Sequence, residues 1–204
     1  MSDAQTVFVV DDQEAIRKAL ARLLASAGLA VLLFESAQAF LDSASTDAPG
    51  CLVLDLSMPD MNGMALQHAL GRCASVLPII FLTGHGDIAS GVNAMKNGAA
   101  DFLTKPVDAD RLIDAVRLAF DKNALARQQR SECHDIQARL ATLTPREADV
   151  MRLVVEGKLN KQVAAELGTV EKTVKVHRAR VMTKMGVRSV SALVRLVDRA
   201  RAKA

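Results

Sequence analysis

Three carboxylates, a hydroxyl and an amine stand at the ends of separate short apolar runs in this chain of 204 residues. TVFVV closes on Asp11-Asp12, CLVLDL holds Asp55, IIFLT ends in Thr83 and DFLT leads into Lys105. If these runs are neighbouring parallel strands, the groups converge on one rim, where doubly wound sheets place their working residues. Three carboxylates gathered there repel one another unless a cation sits among them. Oxygen donors with room for water suit Mg²⁺ (or Mn²⁺). Such a site can take a phosphoryl group onto one carboxylate while the ion and the lysine neutralise its oxygens. Each piece has a plainer reading. An Asp pair after a strand commonly caps the next helix, and a lone Thr or Lys at a strand end carries little weight. His85, in Gly84-His85-Gly86, reads as an exposed turn residue. It is the joint arrangement, one group per strand end, that favours chemistry.

The elements needed to hold these groups are legible in the first half. TVFVV (6–10), LAVLLF (29–34), CLVLDL (51–56), IIFLT (79–83) and DFLT (101–104) read as buried strands. Helical patterns fall between and after them, at about 14–27, 36–45, 64–74, 87–97 and 108–121. Pro49-Gly50 and Pro78 precede the third and fourth strands, and Gly28 and Gly98 follow helices. Strands alternating with helices imply a parallel sheet covered on both faces, with the expected order 2-1-3-4-5.

The charge is divided. Residues 1–122 carry 9 Lys/Arg and 15 Asp/Glu, a net of −6, whereas residues 123–204 carry 17 and 8, a net of +9. A basic half points to a polyanion. Phe8, Phe34, Phe40, Phe81, Phe102 and Phe120 all lie in the acidic half, and Trp and Tyr are absent. The basic half therefore has no aromatic platform for stacking single-stranded bases, and double-stranded DNA fits better. No apolar run is long enough to span a bilayer, and the N-terminus shows no secretory pattern. Cys51, Cys73 and Cys133 form no CxxC pair and no disulfide framework. The expectation is a cytoplasmic protein with no membrane association.

The second half has no strand signal. Residues 122–142 are polar and free of Gly and Pro, an exposed helical linker between a first domain at 1–121 and a second at 143–204. Thr144-Pro145-Arg146-Glu147 opens a helix with a capping box and a first-turn proline, and that helix stops at Gly157. Further helices are expected at about 160–167, 171–185 and 189–202, punctuated by Gly168 and Gly186. A short helix, a glycine turn and a longer basic helix make a helix-turn-helix. On the helix at 171–185, Val174, His177, Val181 and Met185 share the face expected to be buried, with His177 a hydrogen-bonded core histidine. The opposite stripe carries Lys172, Lys175, Val176 and Ala179, flanked by Arg178, Arg180 and Lys184. Alone this would be a solvated basic face. Its place after a short helix and turn makes it a recognition helix for the major groove.

The motifs VVDD, LVLDLSMPDMNG, FLTGHGD and DFLTKP occur in order, and through them residues 5–120 resemble a response-regulator receiver domain. The resemblance implies a flavodoxin-like α/β fold and assigns roles. Asp55 is then the phosphoacceptor. Asp12 binds Mg²⁺ directly, Asp11 mostly through water, and Asp55 and the Ser57 backbone carbonyl complete the protein's ligands. Thr83 hydrogen-bonds a phosphoryl oxygen, Lys105 ion-pairs with it, and Phe102 is the rotating switch aromatic. The Lys105-Pro106 bond is cis in such domains. Ser57 departs from close relatives, which usually carry Arg there; a backbone ligand survives that change.

Residues 143–198 resemble the LuxR-type helix-turn-helix, through LTPREADVMRLVVEGKLNKQVAAELG and KTVKVHRARVMTKMGVRS. Together the two stretches resemble the FixJ branch of the NarL/FixJ family. That implies base contacts from Lys175 and Val176 and phosphate contacts from Thr173 and Lys161. Val170 stands where the family usually has a Ser cap, and Ala179 offers only a methyl. The resemblance also implies a sensor histidine kinase as donor, a homodimer when phosphorylated, RNA polymerase as a partner, and activation more often than repression. It implies a regulator and not an enzyme, apart from autodephosphorylation. A metal-dependent phosphohydrolase with an Asp nucleophile leaves the basic half unexplained. An RNA-binding antiterminator conflicts with the helix-turn-helix.

Overall fold

The computed structural model describes residues 5–43, 46, 48–84 and 88–201, and it divides into two compact units, Met1–Arg127 and Gln128–Ala204. His85 and its Gly86 neighbour lie outside the described residues.

The first unit alternates strand and helix. Strands β1 (Thr6–Val10), β2 (Ala30–Phe34), β3 (Gly50–Asp55), β4 (Ile79–Thr83) and β5 (Asp101–Thr104) form one sheet in the order β2-β1-β3-β4-β5. Every pairing is parallel, as the expected crossovers require. Side chains alternate across the sheet, so each strand feeds two cores. Phe8, Val10, Leu52, Leu54 and Phe81 pack on one face under α2 (Ala37–Ser43), α3 (Gly63–Arg72) and α4 (Ile88–Lys96). Val7, Val9, Cys51, Val53, Ile80 and Leu82 pack on the other under α1 (Glu14–Ser26) and the first part of α5 (Ala109–Ala141). Each fully buried Val, Leu or Phe contributes roughly 1.5–3 kcal/mol. Burial on both faces thus explains the apolar runs of β1, β3 and β4, whereas the edge strand β2, expected to be buried, leaves Leu32 and Leu33 exposed because it has a neighbour on one side alone.

The fifth helix does not stop near residue 121. It runs unbroken to Ala141 because no Gly or Pro interrupts the polar stretch. Nor is that stretch simply exposed. Asn123, 1% exposed, accepts from the amide of Gly50 through Oδ1 and donates to the carbonyl of Val76 through Nδ2. Ile136 is buried in the core of the second unit. The division between the units falls inside α5, at 127/128.

The second unit contains α6 (Pro145–Val155), α7 (Asn160–Glu166), α8 (Glu171–Met185) and α9 (Val190–Arg201) around Val150, Leu153, Val163, Val174, Val181, Met185, Leu193 and Val197. The end of α5 joins these helices. Thr144 and Glu147 form the reciprocal capping box, each accepting from the other's amide. Among the described residues, no helix is long and apolar enough to cross a membrane.

Candidate functional site

Parallel strands end at one edge of the sheet, and the register brings the reactive side chains there together. Leu54 of β3 lies between Val10 of β1 and Phe81 of β4, so Asp11 just follows β1 and Asp55 ends the adjacent β3. The backbone is pinned on both sides. Asp11 N donates to Phe34 O at 3.3 Å, Leu56 N to Leu82 O at 2.9 Å, and Lys105 N to Thr83 O at 2.6 Å. Gly63 closes the loop after Asp55, where a Cβ would come within 2.6 Å of the Asp55 carbonyl oxygen. The Lys105-Pro106 peptide is cis.

Asp11, Asp12 and Asp55 each present a carboxylate oxygen within 4.8 Å of the others. Asp11 and Asp55 are buried, at 1% and 4% exposure, and Asp12 is open to solvent. Lys105 Nζ bridges the buried pair, at 2.7 Å from Asp11 Oδ2 and 2.9 Å from Asp55 Oδ1. Asp11 Oδ1 also accepts from the Gln13 amide at 2.9 Å. Neither aspartate caps α1, whose N-cap is Gln13 without a side-chain bond. Burial pushes the Asp55 carboxyl above its ordinary value; Lys105 opposes this and the negative charges of Asp11 and Asp12 add to it. Burial alone would pull the Lys105 ammonium down, but its bonds to Asp11 and Asp55 prevail and raise it. Two buried carboxylates, an exposed third and one ammonium make a pocket for a hard cation and an anionic group.

Thr83 is buried at the end of β4, its hydroxyl donating to Gly84 O at 3.2 Å. Ser57 is exposed two residues after Asp55. Phe102 is half-buried against Gly91, where a Cβ would meet the ring at 2.8 Å. The ring borders an apolar cavity of about 600 Å³ with Val92, Met95 and Lys96.

In the second unit α8 spans Glu171–Met185 as its pattern requires, and buries Val174, Val181 and Met185. Lys161, Lys172, Lys175, Val176 and Arg180 are exposed, and Thr173 is half-buried. Arg178 is tied down, its Nη1 donating to Asn160 Oδ1 at 2.9 Å. His177 differs from expectation: it is half-buried, and its buried Nδ1 has no hydrogen-bond partner among the described residues. Its helical neighbours on that face, Val174 and Val181, offer no side-chain acceptor. Val170 is the N-cap of α8 and no side chain caps the helix. Glu147 is buried and accepts from Lys184 Nζ at 2.6 Å. That ammonium, with the Thr144 amide, holds the Glu147 carboxyl down at about 2.

Residues 7–117 match the response regulator receiver domain, and residues 141–197 match bacterial regulatory proteins of the luxR family. The chain belongs to the response regulators. It is 46% identical over 192 residues to nodulation protein W of Bradyrhizobium diazoefficiens, covering 94% of this chain and 85% of that one. It is 44% identical over 194 residues to the transcriptional regulatory protein FixJ of the same organism, with 95% of each chain covered. The solved structure of the response regulator StyR matches with a TM-score of 0.85 and 45% identity, over 96% of this chain and 99% of that one. This response regulator is accordingly a DNA-binding transcriptional regulator of a two-component system.

The geometry of this response regulator gathers Asp11, Asp12, Asp55 and Lys105 directly, and places Thr83 at the end of β4 and Ser57 two residues beyond the end of β3. Sequence reasoning missed Arg17. Its Nη1 donates to the carbonyls of Asp11 at 2.7 Å and Asp12 at 2.9 Å, fixing the loop that carries both carboxylates. The sequence carried no signal for it, because its partners are backbone carbonyls.

Proposed function

We propose that a sensor histidine kinase phosphorylates this regulator on Asp55, and that the receiver then dimerises and strengthens DNA binding by the helical unit. The observation that carries this reading is the convergence of three carboxylates and Lys105 at the carboxyl edge of the sheet. The donors fit a hard divalent cation, Mg²⁺ or Mn²⁺, because all are oxygens and Asp12 faces water. Asp11, Asp12, Asp55 and the Ser57 carbonyl would hold it. When bound, such an ion neutralises phosphoryl oxygens.

An Asp55 carboxylate oxygen attacks the phosphorus of a phosphohistidine in line. The phosphorus–nitrogen bond breaks, and its electron pair stays on the imidazole nitrogen, which takes up a proton. Lys105 turns from its bridge between Asp11 and Asp55 to a phosphoryl oxygen, and the Thr83 hydroxyl donates to another. The acyl phosphate carries more negative charge than the carboxylate and adds strong acceptors. Phe102 follows Thr83 inward, changing the face formed by α4, β5 and α5, through which the dimer forms. Water attack on the acyl phosphate resets the site as autodephosphorylation.

In the helical unit, Lys175 and Val176 read base edges from α8. Lys161, Lys172, Thr173, Arg178 and Arg180 hold phosphates or the helix that meets them. The regulator works in the cytoplasm, as an activator that meets RNA polymerase on double-stranded DNA. Acetyl phosphate with Mg²⁺ should label the chain once, with an acid-stable and base-labile bond. Asp55→Asn should abolish the label and leave the circular dichroism spectrum unchanged; near wild-type labelling of that variant would overturn the assignment.

A further inference from the structure

The match to luxR-family proteins begins at residue 141, but the buried core of the helical unit begins earlier. Ile136 is 6% exposed among Val150, Leu153, Val174 and Met185, and Leu140, one turn later on the same face of α5, packs against that cluster. Between them, Arg139 reaches the far end of α8. Its Nη1 donates to the carbonyl of Met185, the last residue of that helix, at 3.0 Å. Gly186 follows in the left-handed conformation at φ +67°, and a Cβ there would lie 3.0 Å from Arg139 Nη1. The contact is answered from the other side. Lys184 of α8 donates through Nζ to the Thr142 carbonyl at 2.8 Å, and the Thr142 hydroxyl donates to the Arg139 carbonyl at 2.7 Å.

A helix C-terminus leaves carbonyls without intrahelical partners and carries partial negative charge, so a guanidinium there serves as both donor and counter-charge. The contact stripe of α8 lies toward its N-terminal half, from Lys172 to Arg180. Val174, Val181 and Met185 fix which way α8 is turned, while Arg139 and Lys184 fix where its C-terminal end sits. A recognition helix must enter the groove in one orientation for its few base contacts to form.

We infer that the last turns of α5 are an integral part of the DNA-binding unit, and that Arg139 is a positioning residue that sets α8 for sequence-selective DNA binding. The inference rests on the reading of α8 as the recognition helix. Arg139 is itself an exposed residue, so its replacement leaves the core intact.

The test uses the full chain treated with acetyl phosphate and Mg²⁺. A random-sequence duplex pool is enriched on the wild type, and the enriched duplex and a scrambled one become the probes. Arg139→Ala should lose about tenfold in affinity for the enriched duplex, the effect of one lost charge-assisted hydrogen bond. Its affinity for the scrambled duplex should not change, and Arg139→Lys should recover most of the loss. Equal loss on both duplexes would make Arg139 a phosphate contact and overturn the inference. So would unchanged discrimination in Arg139→Ala while Lys175→Ala loses it. If the wild type enriches no sequence, the recognition-helix reading fails and the inference fails with it.

Discussion

The two units of this regulator treat charge in opposite ways. In the receiver, Asp11 and Asp55 are drawn into the protein around Lys105, and only Asp12 is left in water. In the helical unit, Lys161, Lys172, Lys175 and Arg180 face solvent, while the buried charge, Glu147, is bound to Lys184 and the Thr144 amide. Buried charges that converge make a site for one small group, in which each member is indispensable. Exposed charges spread along a helix make a surface on which each member adds a share. Losses should therefore be all-or-none in the first unit and graded in the second.

The largest effect is expected at Asp12. Asp12→Ala should remove Mg²⁺-dependent labelling by acetyl phosphate while leaving the melting temperature near wild type, because Asp12 is exposed. A variant that labels normally would break the contrast, since the open carboxylate would then be dispensable. Next come two lysines of the helical unit. Lys175→Ala should relax base preference at a cost of about 1–3 kcal/mol if it makes a good bidentate contact. Lys161→Ala should weaken all duplexes alike and lower the salt slope by about one. Binding isotherms on preferred and scrambled duplexes at several salt concentrations distinguish them.

The smallest effect concerns Glu147. Its folded carboxyl, at about 2, lies below the ordinary value of 4.5, so the stability it contributes is complete above that value and is lost as pH falls toward 2. Glu147→Gln should therefore be destabilised relative to wild type at neutral pH, with the gap closing as pH drops through that window. Paired thermal melts across the range would show it. A gap that stays constant with pH would mean that the Thr144 and Lys184 contacts are met equally well by a neutral amide.

The contrast between the units also marks what the sequence disclosed. Strand order and the convergence at Asp11, Asp55 and Lys105 were legible because they follow from local apolar runs and parallel connection. The turn after α8 was legible because Gly186 marks the left-handed residue. The division at 127/128 inside α5 was not, since a polar helix gives nearly the same pattern whether it lies wholly in solvent or buries a few isolated side chains, as at Asn123 and Ile136. Arg17 and Arg139 were hidden for a related reason. Both act on backbone carbonyls, which leave no residue-type signature. His177 was misjudged because periodicity places a side chain on a face but does not supply its partner.

Phosphorylation at Asp55 should control DNA affinity through dimerisation, with the recognition helix itself unchanged. Equilibrium titrations of the unmodified and phosphorylated full chain against a duplex with two half-sites, and against one half-site alone, test this directly. Joining two weak sites should raise apparent affinity for the paired duplex by roughly 10²–10⁴-fold on phosphorylation, with little change on the single half-site. An equal gain on the single half-site would contradict dimerisation as the switch.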